Sequence, residues 1–467
     1  MHIKNNSRLT TKLLLAAFII FIGMDLIDTT IINNILPKIA KSFDIEPVYL
    51  KFGISVYILV LGVFLLMSAW LAQKIGFKRT LILSGTGFAL FSFLCGIAQT
   101  DIQFFIFRGF QGLFAAFSAP VASLAYLEYS SNNQHAAISL SSYSVLLAIL
   151  GQVLGGVFAY ISADSWRLAF YINVPLSMLA IAIVCIYFPK EAGIKSNNPF
   201  DYKGFILIGI TVTALFAFSE VATFRAVPIS LKILIACIAI VSCLLYIYLY
   251  KKIETPLINF NVFNNRPFLT VFLIIFISRL TTYWVFFAWP VILYYLSTLN
   301  MIYIATMSVY LMIGSVIGNM ITKRISTTPN LKKTVTLSLM LMAIMLAVSP
   351  VFILHFSYPY FCGMAFCYGF ALGLFQGSSN AALFATNDSD KRAHINTLKL
   401  SAGLISNSFS LVLFTVLYNI IRTVSIDLHW LAFFVDIVVK ISIITAAIQL
   451  MLAAVMWYTH RKSLSSR

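Results

Sequence analysis

Runs of about twenty apolar residues recur along almost the whole chain, separated by short clusters of charge, proline and small polar residues. A helix needs about 20 such residues to cross the hydrocarbon of a bilayer, and within that layer only a helix or a closed barrel satisfies its own backbone. Hydrophobic residues fill 60% of the 467 positions and charged residues 10%, against about a quarter charged in a soluble domain. No soluble fold hides that much apolar surface. The chain therefore reads as an all-α polytopic membrane protein.

Breaking the runs at charges, prolines and polar clusters predicts fourteen helices, at 13–36, 53–73, 80–98, 102–126, 137–160, 167–188, 204–223, 229–250, 267–297, 302–322, 334–355, 358–384, 394–421 and 434–458. Residues 1–12 form a short basic tail. The apolar run behind it is too long for a signal-peptide core and contains Asp25 and Asp28, so it reads as the first span. With that tail in the cytoplasm, the inside segments hold 21 of the 32 Lys and Arg and the outside segments about seven. This positive-inside bias predicts an inner-membrane protein with both termini cytoplasmic. It also accounts for the net charge of +17 better than nucleic-acid binding does, because the basic residues are scattered and form no compact domain.

The connections are too short for an ATPase module and contain no G-x-x-x-x-G-K-[ST] phosphate loop. Uphill transport would then have to run on an ion gradient, with protons and a small molecule as partners and no cofactor. The six cysteines lie in apolar segments without C-x-x-C spacing and read as small hydrophobes. The six histidines are dispersed and no H-E-x-x-H occurs. No metal site is expected, and a membrane-embedded enzyme or a receptor is the weaker alternative class. One internal echo stands out: Ala69-Trp70-Leu71-Ala72-Gln73-Lys74 and Gly318-Asn319-Met320-Ile321-Thr322-Lys323 each end a helix before a basic loop. Their positions suit two repeated halves.

Several segments carry a resemblance to a known family. Ile27-Asp28-Thr29-Thr30-Ile31-Ile32-Asn33-Asn34-Ile35-Leu36-Pro37 resembles L-D-x-T-I-x-N-x-A-L-P, and Arg108-Gly109-Phe110-Gln111-Gly112 matches R-x-x-Q-G. Gly151-Gln152-Val153-Leu154-Gly155-Gly156 is similar to G-P-x-x-G-G, and Ser165-Trp166-Arg167 through Asn173-Val174-Pro175 is similar to W-R-x-x-F-x-I-N-x-P. Phe200-Asp201-Tyr202-Lys203-Gly204 and Glu254-Thr255-Pro256-Leu257-Ile258 look like the segments that flank an inserted helix pair. In this order they resemble the fourteen-helix drug/proton antiporter branch (EmrB/QacA type) of the major facilitator superfamily.

That resemblance implies a six-helix bundle at 13–188, an inserted helix pair with linkers at 189–252, a second six-helix bundle at 253–458 and a cytoplasmic tail at 459–467. It also implies export of an amphipathic small molecule, of multidrug efflux type, in exchange for protons. Conformational coupling would fall to Gln73, Lys74, Gly76, Lys78 and Arg79 in the loop after the second helix, and to Gly151, Gln152, Gly155 and Gly156 in the fifth. The chain departs from the pattern at Gln73, where the family carries aspartate, at Gln152, where it carries proline, and at Asp25, an acid the motif does not require. A periplasmic adaptor is left open, and a transporter for a specific anionic metabolite such as a siderophore is the alternative.

Charges within the spans are costly, at about +2.5 to +3.5 kcal/mol each on insertion scales, so each needs a partner or a purpose. Asp25 and Asp28 are three residues apart and can face one cavity. Two neighbouring carboxylates do not both ionise readily, which makes them candidates for proton coupling. Arg108 lies about 9 Å deep in the fourth helix and Asp28 about 12 Å deep in the first, so the two can pair, either permanently or in a way that protonation loosens. Asp25, Gln111, Arg279, Tyr283, Trp284 and Lys399 are the candidate substrate contacts. For Lys399, snorkelling to the inner interface competes with that role. Asp436 and Lys440, four apart, are expected to satisfy each other.

Overall fold

The computed structural model describes residues 8–45, 47–130, 133–162, 164–189, 199–222, 227–250, 260–285, 301–325, 331–354, 357–385, 398–407 and 430–465, with a few isolated positions between them. The described residues fold into helices: α1 (Arg8–Ser42), α2 (Pro47–Leu65), α3 (Ser68–Ile75), α4 (Phe77–Ile97), α5 (Asp101–Tyr129), α6 (Asn133–Ile161), α7 (Leu168–Tyr171), α8 (Asn173–Tyr187), α9 (Tyr202–Ala222), α10 (Ile229–Tyr250), α11 (Arg266–Thr282), α12 (Met301–Ile325), α13 (Leu331–Leu354), α14 (Tyr358–Ala385) and α15 (Trp430–Ser465). Residues 398–407 are also helical. Among the described residues, nine helices are long and apolar enough to cross a membrane, or ten when one bent pair counts as a span.

That bent pair corrects the expectation of one straight helix at 53–73, since Val56–Leu65 and Ser68–Ile75 meet at 56°. The Ser68 hydroxyl donates to the Leu65 carbonyl at 2.6 Å, a local bond that competes with the helical ladder where the chain turns. The sixth span also departs from expectation, opening with a 3-10 turn at Asp164–Arg167 and a single turn at α7 before α8.

Some of the family-like segments sit at helix ends, where unpaired backbone groups need partners. Arg167 Nη1 donates to the carbonyls of Gly96 and Ala98 at 2.7 and 2.9 Å and so caps the end of α4. Lys78 Nζ donates to the carbonyls of Cys185 and Phe188, both at 2.7 Å, at the end of α8. Asp201 precedes α9: its Oδ1 accepts from the Gly204 amide at 2.7 Å and its Oδ2 from the Leu257 amide at 3.2 Å. One carboxylate thus ties the start of α9 to the segment after α10. Gly76, between α3 and α4, has φ 89° and occupies a backbone region that favours glycine.

Contacts from α1 to α8 are mainly among themselves, and α12, α13, α14 and α15 pack on one another; α6 joins the two sets by lying against α12 and α14. Asn380 of α14 donates to Ser141 of α6 at 2.8 Å across that joint. Helices α9 and α10 pair with each other, share the hydroxyls of Thr211 and Ser242 at 2.8 Å, and reach the rest through α2. On α10 the described buried residues are Ala239, Ser242 and Tyr246, while Ile233, Leu234, Val241 and Leu244 are exposed. An apolar helix exposed over most of its circumference fits lipid better than water. Four of the six cysteines, Cys185, Cys237, Cys243 and Cys367, are exposed free thiols on such surfaces, and Cys95 and Cys362 are buried.

The helix pair α12 and α14 approaches closely through glycines on both sides. A Cβ on Gly314 or Gly318 would overlap the backbone of Phe366 or Phe370, and one on Gly369 or Gly373 would overlap the carbonyl of Leu311 or Ser315. Both helices carry the G-x-x-x-G spacing that lets backbones touch in membranes. We expect Gly369→Leu and Gly373→Leu to destabilise the protein by about 1–3 kcal/mol through overpacking. Gly363→Leu, on the same helix with open space at its Cβ, should change little. Thermal unfolding in detergent tests this, and an unchanged midpoint for both seam variants would refute the seam.

Candidate functional site

Asp28 is 3% exposed and accepts three side-chain hydrogen bonds from two other helices. Arg108 Nη1 of α5 donates to its Oδ2 at 2.5 Å, Gln111 Nε2 of α5 to its Oδ1 at 3.0 Å, and Asn173 Nδ2, at the start of α8, to Oδ1 at 3.1 Å. Arg108 and Gln111 are three apart on α5 and therefore point to the same neighbour. Gln111 also accepts from Arg108 Nη1 at 2.7 Å and donates to Ser92 Oγ of α4 at 2.7 Å. The cluster thus stitches α1, α4, α5 and α8 together around one carboxylate.

Arg108 is fully buried. Its guanidinium lies over the Tyr57 ring of α2 at 4.1 Å from the centroid, a cation–π contact. Its Nε and Nη2 have no protein acceptor among the described residues. The Tyr57 hydroxyl donates to Asp25 Oδ1 at 2.5 Å, so the ring that covers Arg108 also holds the second acid. A Cβ on Gly112 would overlap the Tyr57 carbonyl, so the glycine of the R-x-x-Q-G motif lets α5 close on α2 at this level.

The structure brings together the three residues expected to couple protons but separates their settings. Asp28 lies inside a protein network, whereas Asp25 is half-buried. The two acids meet different partners: Asp28 meets α5 and α8, and Asp25 meets Tyr57 of α2. Gln111, expected to touch substrate, is fully buried within the Asp28 cluster. Tyr57 and Asn173 were not singled out by sequence reasoning. Asn173 belongs to the segment similar to W-R-x-x-F-x-I-N-x-P, which assigns it no chemistry, and Tyr57 is one tyrosine in an apolar run.

The coupling candidates contact their own neighbourhood. Lys78 caps α8, as above, while Lys74 and Arg79 are exposed and Gln73 is half-buried. A Cβ on Gly151 would overlap Thr30 Oγ1 and the Ile27 carbonyl, so this glycine lets α6 close on α1. Gly155 is buried, Gly156 faces open space and Gln152 is half-buried.

In the later part of the chain, Arg279 of α11 and Lys399 of the helical stretch 398–407 line one cleft with Gly403 and Ser406. Trp284 is buried and donates its indole N–H to the Thr281 carbonyl at 2.8 Å, which makes it a packing residue here. Tyr283 is half-buried, one turn beyond Arg279. Trp289, further along, is buried as well, whereas Phe286, Phe287 and Pro290 lie outside the described residues. Asp436 and Lys440 pair at 2.7 Å, as their spacing predicts.

Removing one member of a buried ion pair leaves a charge without compensation, at a cost of about 3–5 kcal/mol. We expect Arg108→Gln to lower the thermal midpoint markedly, and the double variant Asp28→Asn/Arg108→Gln to recover part of that loss. A double variant as unstable as the sum of both single changes would show that the two charges are not energetically coupled.

Comparison with known proteins agrees with this architecture. Residues 13–411 match the sequence profile of the Major Facilitator Superfamily. A Klebsiella pneumoniae protein named for multidrug resistance, MdtD, is 30% identical over 250 residues, covering 52% of either chain. Its namesake from Escherichia coli K12 is 27% identical over 249 residues, again covering 52% of each. The match therefore spans about half the length of these curated relatives. Among solved structures, the human organic anion transporter MFSD10 (TETRAN) aligns with a TM-score of 0.65 at 12% identity, covering 95% of this chain and 99% of its own. A bacterial homolog of the human lysosomal transporter Spinster, inward-facing and unoccupied, aligns with a TM-score of 0.60 at 14% identity, covering 99% of both. By the profile match across most of its length and by its helical fold, this chain belongs to the Major Facilitator Superfamily.

Proposed function

We propose that this protein is a proton-coupled secondary transporter that exports an amphipathic small molecule by alternating access. In this reading fourteen spans form two six-helix halves, 13–188 and 253–458, with α9 and α10 as the inserted pair at their side. Both termini face the cytoplasm, on the strength of the positive-inside bias. The names of the MdtD relatives favour efflux of drug-like molecules.

The observation that carries the reading is the saturation of Asp28. Both of its oxygens face donors only: Arg108, Gln111 and Asn173. A carboxylate suits three donors, but a protonated carboxyl has a hydrogen of its own to place and accepts from fewer. Protonation of Asp28 therefore displaces a donor and weakens the hold of α1 on α5 and α8. A proton gained from one side and lost to the other is thereby converted into a change of helix packing. Asp25 is the more accessible acid, bridged to Arg108 by Tyr57, and provides a path by which protons reach the cluster.

Helix contacts near the joint suit a rocking motion: α6 is pressed against α1 at Gly151 on one side and against α12 and α14 on the other. Lys78, through its bonds at the end of α8, keeps the loop after α3 attached to its own half as the halves move.

Proteoliposomes with an acidic lumen, containing a pH-sensitive dye and challenged with a panel of cationic dyes, drugs and organic acids, test the proposal. Wild-type protein should release luminal protons on addition of at least one compound. Asp28→Asn, less stable for the loss of the ion pair but measured on the fraction that is folded and membrane-inserted, should lose that response to near background. Proton-coupled transport at wild-type rate by Asp28→Asn would remove Asp28 from the mechanism.

A further inference from the structure

Resting on the transporter reading, we infer that the cleft between α11 and residues 398–407 binds an anionic group of the transported molecule, a carboxylate, sulfonate or phosphate. Phe272, Phe276 and Arg279 recur at helical spacing and present one face of α11 to the cleft. Lys399, Gly403 and Ser406 do the same from the facing helix. Two cations on different elements thus converge on one space walled by phenylalanine rings.

Neither cation forms an ion pair among the described residues, where the ion pairs are Asp28 with Arg108 and Asp436 with Lys440. The contrast with the first half is informative. There the buried arginine is met by a carboxylate at 2.5 Å and covered by a tyrosine ring. Here the two cations line one cleft without an acid among its lining residues, Arg279 with Tyr283 one turn along its chain and the Lys399 ammonium 5.2 Å from the Phe384 ring centre. Two like charges held together at membrane depth repel and are poorly solvated. An anion between them relieves both costs at once.

The geometry also selects for such a group. A Cβ on Gly403 would overlap Arg279 Nη1, so glycine lets the guanidinium lie close against the facing helix at the cleft wall. Guanidinium binds carboxylate, sulfonate or phosphate through two parallel hydrogen bonds, and an ammonium adds a second point of charge. The Ser406 hydroxyl donates to its own helix, to the Gly403 carbonyl at 3.0 Å, which marks it as a wall of the cleft and leaves charge recognition to the two cations. Phe272 and Phe276 suit an apolar or aromatic body joined to the anion. Protons would then be handled by the acids of the first half and the anion by the bases of the second.

The phosphate of an anionic lipid has the same chemistry, and the test separates the two sources. Full-length protein in phosphatidylcholine nanodiscs is titrated by calorimetry with 1-naphthoate, 1-naphthalenesulfonate and 1-naphthyl phosphate, and with 1-naphthylmethylammonium as the matched cation. At least one anion should bind, and Arg279→Gln and Lys399→Gln should each weaken it tenfold or more, while Arg279→Lys retains part of the affinity. Lys399 is half-buried, so Lys399→Gln carries the test if Arg279→Gln does not fold. Binding of no anion, preference for the cation, or unchanged anion affinity in the folded variants would overturn the inference. Loss of anion binding in phosphatidylglycerol nanodiscs would reassign the cleft to lipid headgroups and overturn it as well. The assay uses no proton gradient, so failure of the Asp28 assignment would leave its outcome intact.

Discussion

An ion in hydrocarbon must be solvated by the protein, and the way this chain meets that demand at Asp28 organises much of its first half. Water is replaced by Arg108, Gln111 and Asn173, three donors carried on α5 and α8. Each is itself positioned by a helix that must approach α1 closely, which constrains the packing in turn. Gly112 admits Tyr57 against Arg108, and Gly151 admits α6 against α1. The ion pair is therefore an architectural joint as much as a chemical site. Changing the charge on one atom of it alters the reason four helices hold their places.

Elsewhere, helix association depends on surface shape, because lipid offers no hydrophobic penalty for leaving apolar side chains exposed. The reciprocal glycines of α12 and α14 bring two backbones into contact with no buried charge. The peripheral helix α10 shows the opposite solution, burying little beyond Ala239, Ser242 and Tyr246 and giving the rest to its surroundings. Between these limits lies α6, which packs on its own half through Gly151 and on α14 through Ser141. A helix with small contacts on two faces can shift against either with little loss of side-chain packing, which is the property a moving joint requires.

The two halves treat buried charge differently. In the first, acid and base neutralise each other within the protein; in the second, Arg279 and Lys399 share a cleft with no acid among the described residues. A self-satisfied network suits a switch that responds to protons, because its set of partners changes with one proton. Unmatched charge suits a site completed from outside.

The sequence alone determined the membrane-spanning character, the approximate place of many helices and the reason for Asp28 to pair with Arg108, because these rest on local quantities. Apolar run length sets where a helix begins and ends, as at 229–250, where expectation and structure coincide. Depth along a span follows from residue count, and two opposite charges at one depth in hydrocarbon have strong reason to meet. Tertiary structure alone decided which helix faces which. Tyr57 became a bridge between Arg108 and Asp25 only because α2 lies across α5, and Asn173 reached Asp28 only because α8 starts at its level. Gly403 and Arg279, far apart in the chain, meet only where their helices pack. Even the 56° bend between Leu65 and Ser68 falls within an apolar run that reads as one helix. Helical periodicity assigns each residue a face, but the neighbour of that face is fixed by the packing of the whole bundle.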